Sequence, residues 1–291
     1  MKSNNALLNL IYINCFLFVF MTLFLIFGKI MEWDMDMRNI LSNLCISTDI
    51  NEVKFKPWTI ITHMFVHIPL RIDDLIINLI WLYFGGKIFI SYLSNHQLTS
   101  TYLMGGIIGA LTCIIAFNVL PVFEELKMEQ GFLASGASSA SIAILIASAT
   151  HVPNFQVHIL SSLRIRLKYI ALLAVLIDIL TIWNSLENGL ENQQNQYIGG
   201  GIGHLGGALY GYLFIQLRKK NINIGYLIEK IISLFSKKKE YIENKRFEND
   251  YDYNARKKEE EEEINKILDK INKSGYDSLS SQEKETLFNQ K

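Results

Sequence analysis

The chain has 291 residues, half of them hydrophobic, with 28 basic and 28 acidic side chains and no formal net charge. Its apolar residues fall in long runs broken by short polar stretches, which excludes a pair of soluble domains and describes a polytopic membrane protein. Charge is segregated too: from Lys237 onward there are 13 basic and 14 acidic residues, so the rest is as charge-poor as a bilayer-embedded body must be, and no nucleic-acid partner is expected.

Six spans are expected. The first covers about residues 6–28. It is too long for the core of a cleaved signal, and no small-x-small cleavage site follows Gly28, so it is taken as a retained span. Residues 29–71 then carry Lys29, Arg38, Lys54, Lys56 and Arg71 together with Glu32, Asp34, Asp36, Trp33 and Trp58. A loop folded onto the membrane face accounts for those aromatics. Within it, His63 and His67 stand at i and i+4, a spacing that can hold a metal, but no third ligand accompanies them and an ordering role is expected. The cysteines, Cys15, Cys45 and Cys113, are odd in number and lack metal-like spacing, so no disulfide framework, metal or redox cofactor is expected.

The second span runs from Ile72 through Asn78 to about Leu93, and the third covers about 99–120, ending at Pro121. The fourth, about 134–151, is short and rich in Ala and Ser. The fifth covers about 167–183 and contains Asp178; the sixth covers about 198–217 and is rich in Gly. Small residues weaken the hydropathy of the fourth and sixth but let helices approach closely inside a bundle. Asp178 is expected to be a buried hydrogen-bond partner, with a catalytic part as the alternative.

Basic residues flanking the spans give the orientation. Arg164, Arg166 and Lys168 lie between spans four and five, and Arg218-Lys219-Lys220 follow span six. The 5–6 connection, Asn184 to Tyr197, has no basic residue. This places the 4–5 loop and both termini in the cytoplasm, and the expected location is a bacterial cytoplasmic membrane.

Spans four and six then enter from the outer side. Ser138 in the one and His204 in the other are expected at similar depth, about 6–10 Å below the edge of the hydrocarbon core at about 1.5 Å per residue. A serine hydroxyl is a weak nucleophile until a base takes its proton, and a neutral histidine can take it and later protonate a leaving amine. Gly200, Gly207 and Gly211 fall at −4, +3 and +7 from His204, and Ala134 and Ser141 at −4 and +3 from Ser138. Each reactive group therefore lies on a small-residue stripe of its helix. Ser135, Ser139 and Ser141 are read as packing residues.

Gly136-Ala137-Ser138-Ser139 on span four and Gly200-x-x-x-His204-x-x-Gly207-x-x-x-Gly211 on span six resemble the rhomboid intramembrane serine proteases. So do Pro57-Trp58, Thr62-His63-Met64-Phe65-Val66-His67, Asn78 and Gly85-Gly86, over about residues 6–217. The resemblance implies an all-α six-span bundle, a Ser138–His204 dyad with no third carboxylate, and an oxyanion hole from the Ser138 backbone N–H and Asn78. It also implies membrane-protein substrates admitted between spans two and five, with no cofactor. Three departures stand out. Asp74 precedes Asn78 by four residues where the family often has His, Ile142 takes the place of a frequent Tyr, and Ser139 replaces a Gly.

Residues 1–220 are thus expected to form the membrane domain and 221–291 a cytoplasmic tail. In that tail, 221–235 reads as an interfacial helix followed by Lys237-Lys238-Lys239. Glu259–Glu263 leads into a helix with Ile264, Ile267, Leu268 and Ile271, stopped at Gly275. Ser280-x-x-Glu283 opens a second short helix with Leu287 and Phe288. A solvated tail and one that binds a cytoplasmic partner both fit. The expected function is a serine endopeptidase that cleaves transmembrane segments; the alternative is an inactive relative that binds such segments without cutting them. A solute transporter would want an inverted repeat, and none is visible.

Overall fold

A computed structural model describes residues 6–33, 36–69, 71–123, 133–158, 164–187, 195–235, 264–273, 275, 278–280 and 283. The chain divides into two compact units, Met1–Glu240 and Tyr241–Lys291. In the first, the described helices are α1 (Ala6–Ile30), α2 (Met37–Ser42), α3 (Ile50–Phe55), α4 (Thr59–Thr62), α5 (Ile72–Tyr92), α6 (Asn95–Val119), α7 (Ser138–His151), α8 (Leu167–Glu187), α9 (Asn195–Lys219) and α10 (Tyr226–Phe235). Two short antiparallel ladders accompany them: β1 (Ile46–Ser47) with β2 (Leu133–Ala134), and β3 (Gln156–His158) with β4 (Arg164–Arg166).

Four described helices, α1, α5, α6 and α8, are long and apolar enough to cross a membrane. At about 1.5 Å per residue their 21 to 25 residues reach about 32–37 Å, against a hydrocarbon core of about 30 Å. Between α5 and α6 the chain turns sharply, because Ser94 and Gln97 form a reciprocal capping box: Ser94 Oγ accepts from the Gln97 N–H at 3.2 Å and Gln97 Oε1 from the Ser94 N–H at 3.0 Å.

The shorter α7 is the buried centre, with Ala140, Ala143, Ile144, Leu145 and Ala147 inaccessible to solvent. Small residues explain how its neighbours close in. A Cβ on Gly207 or Gly211 of α9 would strike the backbone carbonyls of Ser139 and Ala143, respectively. Each step of four residues along α9 matches a step of four along α7, so the two helices run parallel. On the opposite side, Ser141 Oγ reaches Asn78 O at 3.5 Å and Ser148 Oγ reaches Gly85 O at 3.2 Å. That equal stepping makes α5 parallel to α7 as well. By contrast α8 turns large apolar side chains outward, among them Leu173, Leu180 and Trp183, as a lipid-facing helix would.

The segment after α1 is folded. Trp58 Nε1 donates to Asn43 O at 2.8 Å, Thr62 Oγ1 to Leu44 O at 2.7 Å, and Asn118 Nδ2 of α6 to Thr48 O at 2.7 Å. Burial pushes the Cys45 thiol up to about 11. His63 Nδ1 bonds Thr59 O at 3.0 Å, and burial pushes the His63 and His67 imidazoles down to about 4.

Two element boundaries differ from expectation. The helix expected from about 134 begins at Ser138, because Ala134 pairs with Ile46 of β1 and Gly136 takes φ +110°, a conformation incompatible with a helix. The first unit also extends past residue 220: Ser100 Oγ of α6 donates to Gly225 O at 3.4 Å, just before α10.

In the second unit residues 264–273 are helical. Gly275 ends the helix at φ +79°, its N–H donating to Ile271 O at 2.9 Å. Glu283 Oε2 accepts from the Ser280 N–H at 2.6 Å and Ser280 Oγ from the Glu283 N–H at 3.2 Å, the reciprocal geometry of a capping box. The Lys270 ammonium, 2.8 Å away, and that backbone bond hold the Glu283 carboxyl down to about 2. Lys237–Lys239, Glu259–Glu263, Leu287 and Phe288 lie outside the described residues.

Candidate active site

Ser138 owes its position to the turn before it. The Gly136 N–H donates to His63 O at 2.9 Å, and positive φ at Gly136 swings the chain so that α7 opens on Ser138. As the first helical residue, Ser138 has an N–H with no intrahelical acceptor. It also sits where the helix dipole favours negative charge.

His204 stands nine residues into α9, whereas Ser138 starts α7, so equal counting from helix starts does not set their depth. The parallel contact of Gly207 with Ser139 does. That register leaves His204 within two residues of level with Ser138, about 3 Å along the axis. Gly203 joins Gly207 and Gly211 in seating α9 on α7, since its Cβ would come 2.9 Å from Ser139 Oγ. Gly200 does not share that job: nothing lies within 4 Å of a Cβ there.

Ser138, His204 and Asn78 line one cavity of about 360 Å³. Ile77 and Trp81 of α5 bound one side and Ala174, Ile177 and Thr181 of α8 the other. Ile77 and Ile177 are 56% and 53% exposed, so the cavity is flanked by outward-facing residues of both helices. Among the described residues no hydrogen bond joins Ser138 Oγ to His204. The His204 bond is to Asp178: Nδ1 lies 2.8 Å from Asp178 Oδ1, with the side chains 22% and 14% exposed. Asn78 is buried at 4% exposure and donates from Nδ2 to Asp74 Oδ1 at 3.2 Å. Asp74 lines the same cavity, and so does Ile142. A carboxylate therefore does stand one turn before Asn78, bonded to its amide.

Residues 54–220, more than half of the chain, match the Rhomboid domain family. The chain belongs to the rhomboid family. Residues 249–289 match a family of unknown function (DUF6576). No curated protein matches the chain.

This rhomboid domain carries a feature that the resemblance did not imply, a carboxylate on the cavity histidine. The sequence did hold a signal for it. Asp178 lies nine residues before the end of α8 and His204 nine residues after the start of α9. Two antiparallel neighbours joined by one loop bring such positions level, and an intramembrane carboxylate seeks a partner at its own depth.

Proposed function

We propose that this rhomboid-family protein is an intramembrane serine endopeptidase that cleaves transmembrane segments of membrane proteins. In this reading six helices cross the bilayer, α1 and α5 to α9, with both termini cytoplasmic. The single observation that carries the proposal is that Ser138, His204 and Asn78 face one cavity between α5 and α8.

His204 takes the proton from Ser138 Oγ as that oxygen attacks the scissile carbonyl. The Ser138 backbone N–H and Asn78 Nδ2 stabilise the oxyanion, a contribution of about 10²–10³ in rate per donor. His204 then protonates the leaving amine, and water hydrolyses the acyl-enzyme by the reverse proton path. A peptide segment reaches the cavity laterally, past Ile77 and Ile177. Gly207 and Gly211 support this chemistry indirectly by keeping α7 and α9 in contact.

A second reading is favoured by two observations: the open Ser138–His204 pair, and the Asp74 carboxylate on the Asn78 amide. A negative charge beside a developing oxyanion opposes it, so an inactive protein that binds transmembrane segments is the competing function. Labelling of the detergent-solubilised protein with a fluorophosphonate decides between them. Labelling that Ser138→Ala and His204→Ala both abolish is expected. A well-folded wild type that neither labels nor cleaves a model transmembrane substrate establishes the binding protein instead.

A further inference from the structure

We propose that Asp178 is a positioning residue for His204, accepting its Nδ1–H so that Nε2 carries the lone pair that serves Ser138. This rests on the protease reading and extends the expected pair to three members.

The geometry supports it in three ways. The Nδ1–Oδ1 distance of 2.8 Å is that of a charge-assisted bond, and both side chains are largely shielded from solvent. Both also line the cavity that Ser138 faces. Finally, the approach of α8 to α9 depends on a missing side chain next to the pair. A Cβ on Gly201 would come 2.9 Å from Ile182 Cγ1 and 3.5 Å from Asp178 O.

A neutral imidazole carries one proton, and the partner of one nitrogen fixes which. With a carboxylate on Nδ1, the proton stays there and Nε2 is the base. When Nε2 takes the serine proton, the same carboxylate faces the imidazolium and stabilises it; the carboxylate itself need not be protonated. Among the described residues no other carboxylate is bonded to the ring, although Asp74 lies within electrostatic reach of it. Among the other charged residues of the cavity wall, Arg71 has the wrong sign and Asp74 is bonded to Asn78. The helices packed on the other sides of α9, α6 and α7, carry no Asp, Glu, Lys or Arg.

The alternative is that Asp178 merely ties α8 to α9. A structural tie alters stability but not turnover per folded molecule. Two measurements separate the roles, both on the full chain in detergent. The first is ¹⁵N NMR of histidine-labelled protein at mildly alkaline pH, with the His204 signals assigned by difference from His204→Gln. The wild type is expected to show the Nδ1–H tautomer and Asp178→Ala a shift towards Nε2–H; the same tautomer in both overturns the proposal. The second is turnover of a model transmembrane substrate. Asp178→Asn is expected to lower kcat by about 10² or more with KM within about threefold, by analogy with loss of a triad carboxylate. Asp178→Glu is expected to restore part of the loss. Equal kcat in wild type and Asp178→Asn overturns the proposal. A silent wild type sinks the protease reading instead, while the NMR comparison still decides whether Asp178 sets the ring.

Discussion

Gly207→Ala tests the contact that brings the candidate site together. In the structure a Cβ at this position would lie 3.0 Å from the Ser139 carbonyl carbon and 3.3 Å from its Cα, and closer still to the carbonyl oxygen. All three are backbone atoms of α7, so no side chain can swing aside, and α9 must back away by on the order of 1 Å. Overpacking of this kind costs about 1–3 kcal/mol. A 1 Å misplacement at a reacting centre costs about 10² in rate. The substitution is therefore expected to lower the thermal midpoint and to slow fluorophosphonate labelling of Ser138 about 100-fold. Gly200→Ala is the stability control. It adds the same methyl group to the same helix where nothing lies within 4 Å, and its better helix propensity should leave the midpoint unchanged or raised. A Gly207→Ala protein with wild-type midpoint and labelling rate would refute the reasoning, as would equal destabilisation by both substitutions.

Other perturbations reach different parts of the fold. Gly136→Ala forces a side chain into φ +110° at the turn that starts α7; a loss of about 1–3 kcal/mol is expected in chemical denaturation, and an unchanged midpoint would contradict it. Asp74→Ala removes the carboxylate from the Asn78 amide and is expected to raise turnover a few-fold by freeing an oxyanion donor, whereas a fall in kcat would show that Asp74 is needed to aim Asn78. Acidification should loosen the segment around His63 and His67. Their folded values near 4 lie below the ordinary 6.5, so the opened state binds more protons and stability falls as pH drops from about 6.5 towards 4. The loss is on the order of 3 kcal/mol at most for each ring. Limited proteolysis between residues 46 and 71 reads this, and a cleavage rate flat across that window counts against it.

Much of the fold was legible because hydropathy and periodicity are local. The long helices fall close to the apolar runs, and Gly136-Ala137-Ser138-Ser139 and His204 stood out because reactive side chains are costly in such helices. Non-local choices were not legible. Nothing near Ala134 announces that it will pair with Ile46, so the apolar run alone puts the start of α7 four residues early. The stripe containing Gly200, Gly207 and Gly211 was read from spacing alone, which cannot say which glycines meet a neighbour; Gly203 does and Gly200 does not. Asp178 was visible as an expense needing a partner, but identifying His204 as that partner required the depth of two helices to be compared.

The shortness of α7 has a consequence for solvent supply. Its 14 residues extend about 21 Å, well under the thickness of the hydrocarbon core. A bilayer tolerates non-helical backbone at depth only where protein covers it or water reaches it. Residues 135–137, lying between β2 and the first turn of α7, are that backbone, and Ser138 follows them directly. On the protease reading the site needs water as much as it needs substrate. Ser135 and Ser138 both line the cavity, so on that reading the late start of this helix, which positions the serine, would also admit the second reactant.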